Sequence, residues 1–295
     1  MMNIKKITII GVGLIGGSFA KGLKESSEKN NLGYEITGYE PNVDNLKKAV
    51  DLGVVDRYEV ELANAVQDAD LILLGVPLGA MAMVLNEIRA SIKPNAIITD
   101  VGSAKMSVIS AVKEAFGEVL PNFVAGHPIA GKEKSGVEAA CSDLFIDHRV
   151  VLTPTQETSA GAMATVRALW ESLGACITEM APEFHDEVFA ATSHLPHLLA
   201  FSLVDLLNEH EELGNVFQYT AGGFRDFTRI ASSDATMWRD ISLSNAQAIV
   251  KWLRNYQAEI DNLIGLIEGQ QSDALYELFH DAKVARDKHI VKDTL

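Results

Sequence analysis

Two side chains near the middle of the chain could carry acid-base chemistry. Ser103 follows the run Asp100 to Gly102, and His127 lies within the run Gly126 to Gly131. Both come directly after predicted strands, and ligands of an open α/β sheet bind at the carboxyl ends of its strands. A lone histidine is more often a hydrogen-bonded structural residue than a catalytic one. Its position between glycines, with a Ser103 hydroxyl available to fix its tautomer, favours a catalytic base at His127.

A glycine motif near the start of the chain predicts a dinucleotide site. Gly11, Gly13 and Gly16 have the spacing G-x-G-x-x-G between an apolar run and a helix-like segment. The first glycine allows a tight turn, the second lets the backbone approach a pyrophosphate, and the third allows close packing of helix on strand. The alternative is a glycine-rich turn with only a backbone role. We assign cofactor binding to this turn, to Ser103 and to the end of a later strand: Gly11, Gly13, Leu14, Ile15, Gly16, Val76 and Pro77.

An acidic residue at the end of the second predicted strand indicates which nicotinamide cofactor binds. Glu40 lies 24 residues beyond the last motif glycine, where a carboxylate would bind both ribose hydroxyls. The same carboxylate would repel a 2′-phosphate, and the next cations along the chain are only at Lys47 and Lys48. We therefore predict NAD rather than NADP. The alternative is that Glu40 simply caps a turn before Pro41.

Arginines in the last third of the chain could bind an anionic substrate. Arg225 and Arg229 follow two glycines and, at i and i+4, share one helix face. We take Arg229 as the candidate for a bidentate clamp on a carboxylate. For Arg225 or Arg239 we expect ion pairing with neighbouring acids such as Asp240.

Two histidines lie on an otherwise apolar helical segment, the run Ser193 to His197. His194 and His197 could be buried structural residues, or one of them could face the cofactor cleft. Their spacing of three would also suit a metal, but no carboxylate or thiolate accompanies them at matching spacing. We therefore predict no metal site.

The predicted strands and helices divide the chain into an α/β part and a helical part. Up to residue 181, short β-branched runs alternate with helix-like segments, which is typical of a parallel sheet with crossover helices. After Pro182 no β-rich run recurs, and apolar residues follow helical steps of three and four. We predict a Rossmann-type dinucleotide-binding domain over residues 1–181 and an all-α domain over residues 182–295. The predicted strands are Ile7 to Ile10, Tyr34 to Tyr39, Leu71 to Val76, Ile97 to Asp100, Phe123 to Ala125, Arg149 to Thr153 and Cys176 to Glu179, and the predicted helices include Ser18 to Glu25, Val43 to Leu52 and Ala104 to Phe116.

The charge of the chain argues against several kinds of partner. Its 295 residues include 25 Lys and Arg against 40 Asp and Glu, a net charge of -15. Because such a surface repels DNA and anionic membranes, we predict neither as a partner, and an anionic ligand would need local cations. The uncharged stretch Leu71 to Asn86, interrupted by Pro77, is shorter than the roughly 20 apolar residues that span a bilayer. With two distant cysteines, Cys141 and Cys176, and no signal-peptide core, we predict a cytoplasmic protein.

In this order, these segments resemble the prephenate and arogenate dehydrogenase family, the enzymes that make the tyrosine skeleton. The resemblance runs from about residue 5 to residue 286. The glycine motif contributes less to it than four later segments do: Asp100 to Ser103, His127 to Gly131 with Glu133 and Gly136, Ser193 to His197, and Gly223 to Trp238.

The resemblance implies an NAD-dependent oxidative decarboxylation of prephenate, arogenate or both. It also implies a helical C-terminal domain that forms a homodimer, with the active site in the cleft between the two domains. His127 would be the catalytic histidine that accepts a hydrogen bond from the ring hydroxyl, and Ser103 would orient it beside the nicotinamide. Arg229 would bind the ring carboxylate. His197, Gly222 and Trp238 would lie at the substrate pocket.

Three other functions fit part of the pattern. A β-hydroxyacid dehydrogenase of similar layout would use a catalytic lysine in its helical domain, but no lysine lies between Lys134 and Lys251. A regulator that senses NAD would have no need of the Ser103 and His127 pair. A structural partner protein would keep the helical half only for assembly. Steady turnover of NAD with prephenate would exclude both non-enzymatic functions.

Overall fold

The computed structural model describes residues 4–132, 134–210 and 214–290. Six parallel strands form the main sheet and three further strands form a second sheet. The main sheet contains β1 (Lys6–Ile10), β2 (Glu35–Tyr39), β3 (Arg57–Tyr58), β4 (Leu71–Leu74), β5 (Ile97–Asp100) and β6 (Phe123–Val124), and the second contains β7 (Gly126–Pro128), β8 (Arg149–Leu152) and β9 (Cys176–Glu179).

Helices follow most strands of the main sheet and cover both of its faces. β4 and β5 are buried throughout, and for this reason their sequences read as continuous apolar runs rather than alternating ones. Two apolar clusters form the core, and between them they include residues from all the helices of this part. These helices are α1 (Leu14–Asn30), α2 (Val43–Asp51), α3 (Leu62–Val66), α4 (Met81–Ile88), α5 (Met106–Phe116) and α6 (Ala160–Glu171).

The order of the strands creates a ligand-binding crevice. The main sheet has the order β3-β2-β1-β4-β5-β6, so the chain changes direction between β1 and β4. In doubly wound sheets of this order, dinucleotides bind at that switch point, outside the carboxyl ends of the strands. The glycine turn follows β1, and Val76 and Pro77 follow β4. The predicted Rossmann-type fold is confirmed, and it places both predicted cofactor segments beside the crevice.

The second sheet corrects the prediction that all strands before residue 181 join one parallel sheet. β7 pairs antiparallel with β8, and β8 pairs parallel with β9. The chain leaves the main sheet at Ala125, whose carbonyl oxygen accepts a hydrogen bond from Thr153 N at 2.9 Å. β7 has only three residues, including a glycine and a proline, so no strand is predicted there from its sequence.

Beyond Glu179, every regular element in the described ranges is helical, as predicted. The helices are α7 (Pro182–Phe189), α8 (Leu195–Glu209), α9 (Gly222–Thr228), α10 (Ala235–Ser244), α11 (Ala246–Glu268) and α12 (Ser272–His289). A π-helical turn, Ala190–His194, joins α7 to α8. Pro196, in the first turn of α8, cannot donate the next backbone hydrogen bond, which favours a wider turn there.

The internal contacts divide the chain into two compact units, Met1–Ala246 and Gln247–Leu295. All the predicted site residues belong to the first unit, and α12 with nearly all of α11 belongs to the second. The domain boundary predicted at residue 181 is a different division and stays a prediction. Within the described ranges, no helix is long and apolar enough to cross a membrane.

Candidate active site

The glycine turn after β1 has the geometry that a dinucleotide requires. Gly11 has a φ of 94°, and a Cβ there would overlap the Gly75 carbonyl; a Cβ at Gly16 would overlap the Gly11 carbonyl. Gly13 is different, because nothing lies within 4 Å of the position its Cβ would take. It is the N-cap of α1, and no side chain caps the helix there. The turn therefore presents an open, positively polarised helix end that fits a pyrophosphate.

Glu40 leaves the sheet beside this turn. Ile10 pairs with Tyr39, so the next residues, Gly11 and Glu40, leave neighbouring strands at the same level. Glu40 Oε1 accepts a hydrogen bond from Asn45 Nδ2 at 2.6 Å, whereas Asn42 caps α2.

The two nearest downstream cations are already paired with acids, Lys47 with Asp44 at 3.1 Å and Lys48 with Glu138 at 2.9 Å. Both lysines therefore pair with acids other than Glu40 in the structure.

A buried ion pair joins β5 to β7. The side chains of Asp100 and Lys105 are both fully buried, and Lys105 Nζ donates to Asp100 Oδ2 and to the Gly126 carbonyl oxygen, each at 2.5 Å. Asp100 Oδ1 also accepts from Gly126 N at 3.1 Å. Through these bonds the end of β5 is fixed to the residue before His127. Ser103 and His127 thus extend from segments joined at one edge, as the sequence predicted.

His127 has a hydrogen-bond partner that the sequence reading did not identify. Its Nδ1 lies 2.9 Å from His185 Nε2, and His185 Nδ1 lies 2.8 Å from Asp186 Oδ1. The Phe189 ring packs edge-on against His127, with centroids 4.9 Å apart. Among the described residues no hydrogen bond joins Ser103 to His127, so the nitrogen expected to be fixed by Ser103 faces His185 instead. A role for Ser103 beside the nicotinamide stays a prediction.

The electrostatics of this group keep His127 neutral. Burial lowers the pKa of His127 well below its usual value, and the nearby His185 and Lys105 act in the same direction. Burial also lowers the pKa of His185, against the opposing effect of Asp186. Burial would raise the pKa of Asp186, but hydrogen bonds from His185 and two backbone N–H groups bring it below its usual value. A neutral imidazole connected to an ionised carboxylate can act as a general base.

The predicted substrate residues form a second cluster. The His197 ring stacks on the Trp238 indole with centroids 4.0 Å apart. Burial lowers the pKa of His197, and the charge of Arg229 acts in the same direction against a hydrogen bond to the Ser193 carbonyl oxygen. The buried Trp238 Nε1 has no hydrogen-bond partner in the part of the chain that is described. Gly222, at the first position of α9, is exposed.

Asn245 connects the two clusters. Its Nδ2 donates to the Asp186 carbonyl oxygen at 2.8 Å and lies 3.3 Å from His194 Nδ1. His194 is buried, with its pKa lowered to about 4 by desolvation, and its ring lies edge-on to Trp238. Of the two roles that the sequence left open for His194, the structure favours that of a buried structural residue.

The expected ion pairing of Arg239 is confirmed. Arg239 Nη2 lies 2.7 Å from Asp240 Oδ1, and Asp240 Oδ2 accepts a hydrogen bond from Gly79 N at 3.2 Å. Because Gly79 belongs to the turn after β4, this carboxylate ties the cofactor edge of the sheet to α10. Glu133, one of the residues that carry the family resemblance, lies outside the described residues.

The sequence reading missed His185, Asp186 and Asn245. The only available signal was a histidine next to an aspartate just after Pro182, which is common in surface helices. For metals, the described residues contain no group of three or more His, Cys, Asp or Glu that could hold an ion.

The glycine turn, the strand order and a neutral histidine at the carboxyl edge define the class: a Rossmann-type dinucleotide-binding oxidoreductase with a helical C-terminal part. Two family models match nearly consecutive segments. The model for "Prephenate dehydrogenase, nucleotide-binding domain" matches residues 19–179, and that for "Prephenate dehydrogenase, dimerization domain" matches residues 181–281. The chain therefore belongs to the prephenate dehydrogenase family, and the resemblance found in the sequence is confirmed.

Individual relatives agree with this assignment. Cyclohexadienyl dehydrogenase of Zymomonas mobilis is 38% identical over 291 residues, which cover 97% of this chain and 96% of that protein. Prephenate dehydrogenase of Bacillus subtilis is 39% identical, over 97% of this chain and 77% of its own length. The crystal structure of prephenate dehydrogenase from A. aeolicus, in complex with hydroxyphenyl propionate and NAD+, has a TM-score of 0.90 and 37% identity, covering 97% of this chain and 99% of that chain.

Proposed function

We propose that this enzyme oxidatively decarboxylates prephenate, arogenate or both, with NAD as the oxidant. The observation that carries the proposal is His127, a neutral imidazole held at the same sheet edge as the open glycine turn. Support also comes from the relatives, one named for cyclohexadienyl substrates and one solved with NAD+ and a hydroxyphenyl acid. No described residue decides between a keto and an amino side chain, so both substrates remain in the proposal.

The residues of the site divide the chemistry between them. Bound NAD would accept the hydride from the carbinol carbon of the substrate ring. His127 takes the hydroxyl proton as that carbon becomes a carbonyl. The C–C bond to the ring carboxylate then breaks, carbon dioxide leaves, and its bonding electron pair aromatises the ring. His127 returns the proton to the phenolate oxygen, so the histidine is neutral again at the end of the cycle.

Arg229 would bind the ring carboxylate through paired hydrogen bonds until that charge leaves as carbon dioxide. The ring stack of His197 on Trp238 would pack against the substrate, with the indole N–H as a donor. Gly222 would also line the substrate site. The residues that would bind the cofactor are Gly11, Gly13, Leu14, Ile15, Gly16, Glu40, Val76, Pro77 and Ser103.

The assembly and location of the enzyme are part of the proposal. A homodimer through the helical domain is supported by the family model for a dimerization domain. Domains over residues 1–181 and 182–295 are supported by the limits of the two family models. Sedimentation of a stable monomer at micromolar concentration would contradict the dimer. We also propose a cytoplasmic location, which cell fractionation would test.

The direct test follows NADH formation with each substrate. We expect turnover with prephenate, arogenate or both, and we expect His127→Asn to lower kcat by about 10²- to 10⁴-fold, the range for general acid-base catalysis. NAD affinity should stay nearly unchanged. The exposed His148 offers a matched control, since His148→Asn makes the same change outside the site. No turnover with either substrate would refute the proposed function, and a kcat for His127→Asn within a few-fold of the parent would refute the base.

A further inference from the structure

A chain of hydrogen bonds extends from His127 away from the sheet edge to a buried carboxylate. The first link joins His127 Nδ1 to His185 Nε2 at 2.9 Å. The second joins His185 Nδ1 to Asp186 Oδ1 at 2.8 Å. His185 is fully buried and Asp186 nearly so. Both nitrogens of His185 have hydrogen-bond partners, and one of these partners is the proposed base.

The protonation of each atom in this chain follows from the carboxylate. Ionised Asp186 can only accept hydrogen bonds, so His185 Nδ1 must carry a proton. A neutral His185 then has a lone pair on Nε2, and the described group placed to donate to it is an N–H at His127 Nδ1. Neutral His127 with its proton on Nδ1 has its lone pair on Nε2. The opposite tautomer of His185 would set two acceptors against each other at Asp186.

Asp186 is fixed so that it stays ionised and in place. Its Oδ1 accepts from Lys105 N at 2.8 Å, and its Oδ2 accepts from Met106 N at 3.0 Å, both at the start of α5. These backbone donors cannot rotate away, unlike hydroxyls. The Lys105 side chain in turn binds the Gly126 carbonyl oxygen, next to His127. The carboxylate and the base are therefore positioned by the same short segment of chain.

From this geometry we propose that His185 and Asp186 are positioning residues that hold His127 in the tautomer with a free lone pair on Nε2. The inference rests on the proposed function, in which that lone pair takes the substrate hydroxyl proton. After the transfer, the imidazolium of His127 still donates from Nδ1 to His185, whose other nitrogen faces the negative charge of Asp186. The chain thus selects the reactive tautomer before proton transfer and stabilises the positive charge after it.

Two substitutions at His185 separate positioning from packing. His185→Leu removes the acceptor, so neutral His127 is free to place its proton on Nε2. His185→Gln offers an amide oxygen near the former Nε2 and can still accept from His127 Nδ1. Phe189→Leu is the matched control, because the Phe189 ring contacts both histidines without a hydrogen bond in this chain.

We expect His185→Leu to lower kcat by roughly 10²-fold, within the range of general-base catalysis, with the KM values for NAD and substrate within about threefold of the parent. His185→Gln should recover most of that loss. Phe189→Leu should lower kcat by less than about tenfold, since it changes packing alone. A kcat for His185→Leu close to the parent, or equal losses for the leucine and glutamine variants, would overturn the positioning role.

Nitrogen NMR of the histidine rings gives a readout that does not depend on activity. With 15N-labelled histidine, assigned by the loss of one signal set in His127→Asn, the parent protein at neutral pH should show a protonated Nδ1 and an unprotonated Nε2 on His127. A protonated Nε2 in the parent would overturn the inference even if no variant at position 185 folds. If the tautomer is as expected but neither substrate is turned over, the proposed function fails while the hydrogen-bond chain stands.

Discussion

Replacing Lys105 by methionine should destabilise the protein far more than removing an exposed ion pair does. Methionine has nearly the length of lysine but no charge, so the substitution removes the ammonium and little volume. Among the described residues, the buried Asp100 carboxylate would then keep its hydrogen bonds from the backbone N–H groups of Gly102 and Gly126 and no others. The Gly126 carbonyl oxygen would lose its bond to Lys105 Nζ as well.

The size of the effect follows from burial. Both side chains of the Asp100–Lys105 pair have 0% exposure, and breaking a buried pair by removing one partner costs about 3–5 kcal/mol. The pair Lys6–Asp68, at 43% and 59% exposure, is the matched control, and Lys6→Met should change the stability very little. The double variant Asp100→Asn with Lys105→Met should recover part of the loss, because it removes the unpaired charge.

Chemical denaturation at one fixed protein concentration measures these changes. We expect kcat of Lys105→Met to fall as well, because Lys105 holds the residue that precedes His127. Two results would contradict a buried pair that holds β5 to β7. In the first, Lys105→Met destabilises the protein no more than Lys6→Met does. In the second, the double variant loses as much unfolding free energy as the two single variants lose together.

Three further predictions follow from the site. First, kcat/KM should be higher with NAD than with NADP at equal ionic strength, and the reverse order would overturn the assignment of Glu40 to the ribose. Second, Arg229→Lys keeps the charge but loses the planar guanidinium, so kcat/KM for the substrate should fall by roughly 10- to 150-fold while the affinity for NAD stays the same. An unchanged KM for the substrate with weaker NAD binding would show that Arg229 does not bind the substrate carboxylate. Third, the unfolding free energy should be at its full value above about pH 6.5 and fall toward pH 4, because the unfolded chain takes up a proton that buried His194, with its pKa lowered to about 4, does not. Denaturation curves across that range that show no loss would contradict a neutral buried His194.

The dinucleotide-binding half can be predicted from the sequence because its signals are local. The glycine spacing, the apolar runs and the turn residues all act within about 30 residues, and each describes backbone chemistry that holds wherever the segment folds. Seven strands were predicted close to their observed bounds. The helix after the glycine turn begins earlier than predicted, at Leu14 rather than Ser18, because Gly13 can serve as its N-cap.

Short strands and the second sheet escaped the sequence reading for a physical reason. β3 and β7 have two and three residues, too few to establish a period-two pattern, and only their partners define them as strands. The separation of β8 and β9 from the main sheet depends on pairing with β7, which the sequence of neither strand indicates.

The surroundings of the proposed base depend on contacts between residues that are far apart in the sequence. His127 is predicted as the base from its neighbours along the chain, and Ser103 is predicted from the same neighbours as its hydrogen-bond partner. The observed partner, His185, lies 58 residues away, and Asp186 bonds to the backbone of Lys105 across 81 residues. Hydrogen bonds over such separations depend on how α5 and α7 pack. A sequence therefore predicts which residue types can do chemistry, whereas the tautomer and charge of each one are fixed by the groups that folding brings within 3 Å.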